Sequence, residues 1–374
     1  MRSVTPGIKL LIWMNMPSHH QAPFYKALRS AGIDLVVHYY GHVNETRISM
    51  GWENTLVLPA GETFVAPSLD SLTACCDWQE RIHIVPGYGA AFTRQLAAHL
   101  SQRGVRWVHW SEPAHDGIRW WLSYPYKRWY ARFVNTWSLG AFAIGHLAAR
   151  DFERWGIQKS KIAFLPYSSP EGDTQHAEKD PRIAIFTRNK QPTFLFVGSL
   201  CRRKGIDLLL HATKELAIIH DSIGLVLVGK DMAKGRYQRM AETLGISQNV
   251  LFQGAVSTSK IAAALSCADV VVLPSRFDGW GMALGEAASA GKALIATNAC
   301  GAAHHLIVEG ENGFRVPAND ATSLAQAMLA YMTDPGLAHR HGRRSQELFA
   351  EYTPHRNVER LVQGLREFES RSLQ

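Results

Sequence analysis

Cysteine is scarce in this 374-residue chain: five are scattered at Cys75, Cys76, Cys201, Cys267 and Cys300, an odd number with no CxxC pair. This argues against a disulfide framework or a cysteine zinc site and fits a reducing compartment. Long apolar runs are also missing. None reaches the roughly 18 to 20 residues needed to span a bilayer. The opening run from Ile8 to Met14 is short, and no small-residue cleavage site follows it. It reads as a first strand, not a signal peptide, so a cytoplasmic location is expected. Charged residues make up 19% against 46% hydrophobic, which excludes a disordered chain. There is no GxxxxGK[ST] phosphate loop and no Asp-x-Asp metal motif, so no metal site is expected.

What is present suits two domains, because single cores stop growing well before this length. The net charge is +8, and residues 1–170 carry 17 Lys and Arg against 11 Asp and Glu. An anionic partner for the first half is implied: nucleic acid, a membrane surface or a phosphorylated acceptor. In that half, strands are predicted at Ile8–Trp13, Ile33–Tyr40, Ile82–Val85 and Val105–Trp110, with helices at Phe24–Gly32 and Gly89–Ser101. Residues 168–192 are polar and read as a linker or surface insertion, most clearly over 171–192.

The second half alternates more cleanly. Strands are predicted at Phe194–Val197, Leu225–Val228, Val250–Phe252, Val270–Leu273 and Ala293–Ala296, with helices between them. Such alternation implies parallel sheets covered on both faces. The expected fold is α/β: two Rossmann-like domains facing a cleft, with ligands beyond the carboxyl ends of the strands. The domains are placed at 1–170 and 193–349. The tail is helical, and its last part, about 350–374, can pack back on the first domain.

Two segments of the second half carry chemistry. Gly198 to Gly205 reads GSLCRRKG, follows a strand and opens a helix. It is either a pyrophosphate cradle, with Arg202, Arg203 and Lys204 adding positive charge, or a βα loop with solvated basic residues. Asp278 and Glu286 stand eight apart around Gly279, Trp280 and Gly281, after the continuous run VVVLPS. A loop carboxylate can accept hydrogen bonds from sugar hydroxyls, and a helix carboxylate can hold a ribose diol. The alternative is a capping Asp and a surface Glu.

These segments resemble the donor-binding domain of the family 4 retaining glycosyltransferases, which have the GT-B fold. The family's PSxxEGFGLxxxEAxAxGxPVI corresponds to PSRFDGWGMALGEAASAGKALI here, and its VGRLxxxKGxxxLxxA to VGSLCRRKGIDLLLHA. The stretches VLFQGAVSTSKIAAALSCADVVVLPS and CGAAHHLIVEGENGFRVPANDATSLAQAM match two further motifs, in family order from about 194 to 330. The resemblance implies that Glu286 binds the nucleotide ribose and Asp278 the donor sugar. It implies that Gly198, Ser199, Arg203 and Lys204 hold the pyrophosphate. Backbone amides of Gly279, Trp280, Gly281 and Met282 would hold sugar and distal phosphate, and the Leu251–Phe252 edge would read the base. Ser199 replaces the usual Arg, leaving Arg202 or Arg203 to supply that charge, and Asp278 replaces the usual Glu. The implied donor is UDP- or GDP-linked, with no cofactor and no protein nucleophile.

The first half offers less. His19, His20 or Gln21, in the loop after the first strand, are candidates for phosphate or acceptor contacts. Glu112 and His115 follow the strand ending at Trp110, and Gly145 and His146 follow another strand-like run. With Asp278 and Lys204, Glu112 completes the set expected near the reacting bond. In Tyr126–Trp137, the residues Tyr126, Trp129, Tyr130, Phe133, Val134 and Trp137 share helical spacing, with Lys127, Arg128 and Arg132 off that face. Residues 119–137 are therefore either a core-facing helix or a basic amphipathic helix for an anionic membrane surface. The expected activity is retaining sugar transfer to a glycan or lipid-linked acceptor in polysaccharide or lipopolysaccharide synthesis, in the cytoplasm or at the inner membrane face. A nucleotide-sugar epimerase and a non-catalytic binder are the alternatives of the same fold. No nucleic-acid recognition module is visible.

Overall fold

The computed structural model describes residues 7–52, 57–114, 121–170 and 178–372. The chain divides into two compact units. One comprises 1–43, 54–168 and 354–374, and the other 44–53 and 169–353. The strands of the first unit are β1 (Lys9–Met14), β2 (Asp34–Tyr39), β3 (Glu62–Phe64), β4 (Ile82–Pro86), β5 (Trp107–Ser111), β6 (Gly140–Ala143) and β7 (Ile162–Phe164). They form one parallel sheet in the order β3-β2-β1-β4-β5-β6-β7. Parallel strands bury both faces, so they read as continuous apolar runs, and Leu10, Leu11, Ile12 and Trp13 are fully buried.

The Pro354–Ser372 helix closes this unit, with Phe368 ring to ring with Phe142 at 5.3 Å. Two glycines make room for it. A Cβ on Gly140 would lie 2.5 Å from the Phe368 ring, and one on Gly364 would lie 2.5 Å from the Phe142 ring.

The second unit holds β8 (Thr193–Val197), β9 (Gly224–Val228), β10 (Val250–Gly254), β11 (Val270–Leu273), β12 (Ala293–Thr297) and β13 (Gly313–Val316). Their order is β10-β9-β8-β11-β12-β13, again all parallel. In both sheets the order reverses once, between β1 and β4 and between β8 and β11. Loops leaving adjacent strands there diverge to opposite faces and open a crevice at the carboxyl ends.

Three sequence expectations change. The segment expected as a linker contains the Pro181–Thr187 helix, capped by Asp180, whose carboxylate accepts from the amides of Arg182 and Ile183. Residues 44–53 belong with the second unit, although the strands on either side belong to the first.

The third change concerns the Tyr124–Trp137 helix. It buries Lys127, Tyr130, Ala131 and Val134, while Tyr126, Trp129 and Trp137 are exposed. Two stripes of similar spacing compete on this helix. The winning one has smaller side chains, and the Lys127 ammonium lies 5.5 Å over the Trp155 ring.

Candidate functional site

The reversal between β8 and β11 brings together the two segments singled out by sequence. Gly198 follows β8 at φ +149°, and a Cβ there would lie 3.2 Å from the Phe196 ring. A short turn over Arg202–Lys204 leads to Gly205, at φ +72°. A Cβ on Gly205 would lie 2.0 Å from the Pro274 carbonyl oxygen, so only glycine lets the loops touch.

Arg276 then joins them. Its amide donates to the Arg203 carbonyl at 2.7 Å and its guanidinium to the Arg202 carbonyl at 2.7 Å. A two-pronged pair at 2.8 Å ties the same guanidinium to Asp207, at the start of the Ile206–Ala217 helix. Sequence reasoning passed over Arg276. Its place between the two motifs was the available signal.

The loop after β11 is pinned by main chain. The Asp278 amide donates to Ala299 O and the Gly301 amide to Asp278 O, both at 3.0 Å. Ala302 donates to Trp280 O at 2.7 Å, and the Cys300 thiol donates to the same oxygen at 3.0 Å. Burial pushes that thiol up to about 12, so it stays protonated and donates. Gly281, at φ +96°, leads into the Met282–Ser289 helix; the Leu284 amide donates to Gly281 O at 2.9 Å, and the amides of Met282 and Ala283 before it have no acceptor within the helix. Trp280 is buried, with its ring 5.5 Å from His305.

The carboxylate of Asp278 meets the first loop. The Lys204 ammonium donates to its Oδ2, and Arg203 stands 3.7 Å from its Oδ1 while donating to Phe277 O at 2.9 Å. Two cations, one carboxylate and a helix N-terminus therefore share one crevice, a set able to hold an anion and hydroxyl groups together. Glu286 is half-buried on the same helix, and burial pushes its carboxyl up to about 7. Ser199 is half-buried beside Cys201.

The neighbouring strand adds a cation that sequence reasoning did not weigh. Gly229 follows β9, and a Cβ on it would lie 1.9 Å from Gly198 O. The Leu200 amide donates to Lys230 O at 2.8 Å. The Lys230 ammonium reaches the Ser49 hydroxyl, and a Cβ on Gly51 would lie 2.1 Å from Val256 O. The 44–52 segment thus lies over the carboxyl ends of β9 and β10. Leu251 and Phe252 are half-buried in β10, the edge strand.

In the first unit, His19 and His20 follow β1 with ring centroids 3.7 Å apart, and Gln21 beside them is buried. Glu112, after β5, is exposed and bonded to Tyr167, which follows β7. Burial first, then the Glu112 charge, hold the Tyr167 phenol well above its ordinary value. Gly145, at φ +88°, precedes the His146–Trp155 helix, with His146 exposed at its start. Asp151 on that helix, not foreseen, accepts from the Ala114 amide at 2.9 Å and so holds the loop after Glu112. His115 lies outside the described residues.

The family model described as "Glycosyl transferases group 1" matches residues 179–348. A GDP-mannose-dependent alpha-(1-6)-phosphatidylinositol monomannoside mannosyltransferase of Mycolicibacterium smegmatis is 26% identical over 273 residues, 68% of this chain and 70% of that one. Three further mycobacterial relatives are matched over 55 to 58% of their own length. The lipopolysaccharide core biosynthesis mannosyltransferase LpcC of Rhizobium leguminosarum bv. viciae is 34% identical over 150 residues, 39% of this chain and 42% of the relative. Among solved structures, Anabaena HepE in complex with UDP superposes with a TM-score of 0.75 at 15% identity, covering 96% of this chain and 100% of that one. At that identity the likeness is one of fold.

Proposed function

We propose, for a chain that belongs to the group 1 glycosyltransferases of family 4 type and GT-B fold, that the crevice between β8 and β11 holds a nucleotide-sugar whose sugar passes to a glycan or lipid-linked acceptor. The observation that carries this reading is the meeting of Lys204, Arg203 and Asp278 at a helix N-terminus. Breaking a sugar–pyrophosphate bond leaves negative charge on the departing phosphate. Lys204 and Arg203 neutralise it once the diphosphate draws them from Asp278. The freed carboxylate then accepts hydrogen bonds from donor sugar hydroxyls, and the Met282–Ser289 helix start adds amide donors. Glu286 binds the ribose diol.

Transfer proceeds with retention. The leaving phosphate assists the incoming hydroxyl on the same face, so no protein nucleophile is assigned. Glu112, His19, His20, Gln21, His146 and the backbone at Gly145 belong to the acceptor side. Backbone at Leu251 and Phe252 reads the base. The GDP-mannose dependence named for the M. smegmatis relative and the UDP bound in HepE support the donor class without choosing the base. The LpcC relative supports an acceptor in cell-surface glycan synthesis.

A panel of UDP-, GDP- and ADP-sugars in thermal-shift and hydrolysis assays tests the reading, which fails if none binds. The reaction needs no metal: chelator leaves activity unchanged, and loss restored by Mn²⁺ would overturn this point. The enzyme works at the inner face of the cytoplasmic membrane, meeting an anionic surface through residues 119–137 and no nucleic acid. No helix among the described residues is long and apolar enough to cross a membrane.

A further inference from the structure

A second recess lies in the first unit, at the end of its sheet opposite the carboxyl ends of the strands. A cavity of about 520 Å³ opens where the chain enters β5, β6 and β7, lined among others by Arg106, Trp137, Ser138, Lys161, Phe368 and Arg371. Lys161 is its distinctive group. Its ammonium donates to Asn135 O at 2.7 Å and Ser138 O at 2.8 Å, and among the described residues it makes no ion pair. Two of its three donors are used and its charge is not neutralised. Arg106 pairs with Glu369 at 2.8 Å, and Arg371 with Glu367 at 3.8 Å while also donating to Ser160 O. Both pairs are exposed and weak, so either arginine can turn to a better anion.

The mouth of this cavity continues into an apolar surface. Trp121 is 66% exposed, Leu122 76%, Trp129 56% and Trp137 57%. Rings run along the Tyr124–Trp137 helix from Tyr126 to Trp129 at 5.6 Å and on to Phe133 at 6.0 Å, and Trp137 stands one turn further at the cavity. From Trp129 to Trp137 the rise is roughly 12 Å. Arg128 and Arg132 are exposed on the same helix. Large exposed rings flanked by arginines match the boundary between headgroups and acyl chains.

We propose that the cavity takes the phosphate headgroup of an anionic membrane lipid, while Trp121, Leu122, Trp129 and Trp137 seat the helix among its neighbours. This rests on the membrane part of the function proposed above and adds a discrete headgroup site, separate from the donor crevice. The occupant is a bilayer and not a second copy, because the cations around the rings, Arg106, Arg128, Arg132, Lys161 and Arg371, would repel their own kind across an isologous contact.

The full chain is co-sedimented with phosphatidylcholine vesicles, with and without phosphatidylglycerol, and titrated with dioctanoyl phosphatidylglycerol and with glycerol phosphate. The wild type should prefer the anionic vesicles, and W121A/W129A should lose both vesicle types. K161Q and R371Q should each lower anionic partition about fivefold and abolish saturable binding of the short-chain lipid. Unchanged near-ultraviolet circular dichroism, dominated by the tryptophans of the first unit, and an unchanged melting temperature report that K161Q and R371Q fold, and an unchanged melting temperature reports it for W121A/W129A.

A wild type that ignores vesicles, or a W121A/W129A variant that still binds them, overturns the bilayer reading and the headgroup site with it. K161Q and R371Q both behaving as wild type overturns the headgroup site alone. Glycerol phosphate binding as tightly as the short-chain lipid replaces the lipid with a free phosphate. Self-association abolished by W121A/W129A assigns the surface to a second copy.

Discussion

The carboxyl ends of the two sheets are built differently. In the second unit the loops after β8, β9, β11 and β12 are locked by main chain, with glycines at contacts where any Cβ would collide. In the first unit one such contact exists, with a Cβ on Gly41 lying 2.6 Å from Asn15 O, but the corresponding loops also present side chains, among them His19, His20, Glu112 and His146, and a Cβ added to Gly87, after β4, would meet nothing within 4 Å. A nucleoside diphosphate offers the same phosphates and ribose whatever sugar it carries, so rigid amides and fixed cations can serve it. An acceptor varies, and exposed side chains can vary with it.

That contrast can be broken most sharply at glycines. Gly205→Ala, which forces a Cβ onto Pro274 O, should cost about 3 kcal/mol or more in urea unfolding. Gly87→Ala, at φ +60° in open space, should cost about 1 kcal/mol. Equal costs would refute the difference in rigidity. Next in size, Lys204→Ala should lower kcat/KM by about 10² to 10³, whereas His146→Ala should cost less than about tenfold. The reverse order, in steady-state assays with the accepted donor, would move the chemistry to the first unit. Arg276→Ala should lower stability by about 2 kcal/mol, because it removes the clamp between the loops and strands Asp207.

The smallest effect is a pH dependence. The folded chain holds the Glu286 proton up to about 7, against an ordinary 4.5. The unfolded chain therefore loses that proton first. This group's share of stability is full below 4.5 and declines as pH rises through about 7. In the role proposed for Glu286 a ribose diol donates to the ionised carboxylate, so donor affinity should rise over the same range and level off above it. Calorimetric titration across that range should show the slope, and Glu286→Gln should flatten it.

Much of the second sheet was legible in sequence because buried parallel strands write themselves as apolar runs. The predicted Val270–Leu273 strand is β11 to the residue. The loops were legible for the same reason that they are rigid: glycines and charges at fixed places after strands. Arg276 was not, because a single arginine after Pro274–Ser275 carries no period and its partner Asp207 lies 69 residues away. Nor was the return of 44–53 to the second unit, which depends on contacts such as Gly51 against Val256. The Tyr124–Trp137 helix was legible only as two alternatives, because a face of large rings suits a core and a membrane surface alike; packing chose the narrower Lys127–Tyr130–Val134 stripe and left the largest rings outside.

The Pro354–Ser372 helix bears on how such a chain is made. Synthesis runs from the amino end, and domains ordinarily fold as they emerge. Here the ring that fills the space over Gly140 and Phe142 belongs to Phe368. The first unit to leave the ribosome is thus the last to be completed. It waits with an uncovered apolar face until the second unit has been translated, and a premature stop between residues 168 and 354 leaves that face open.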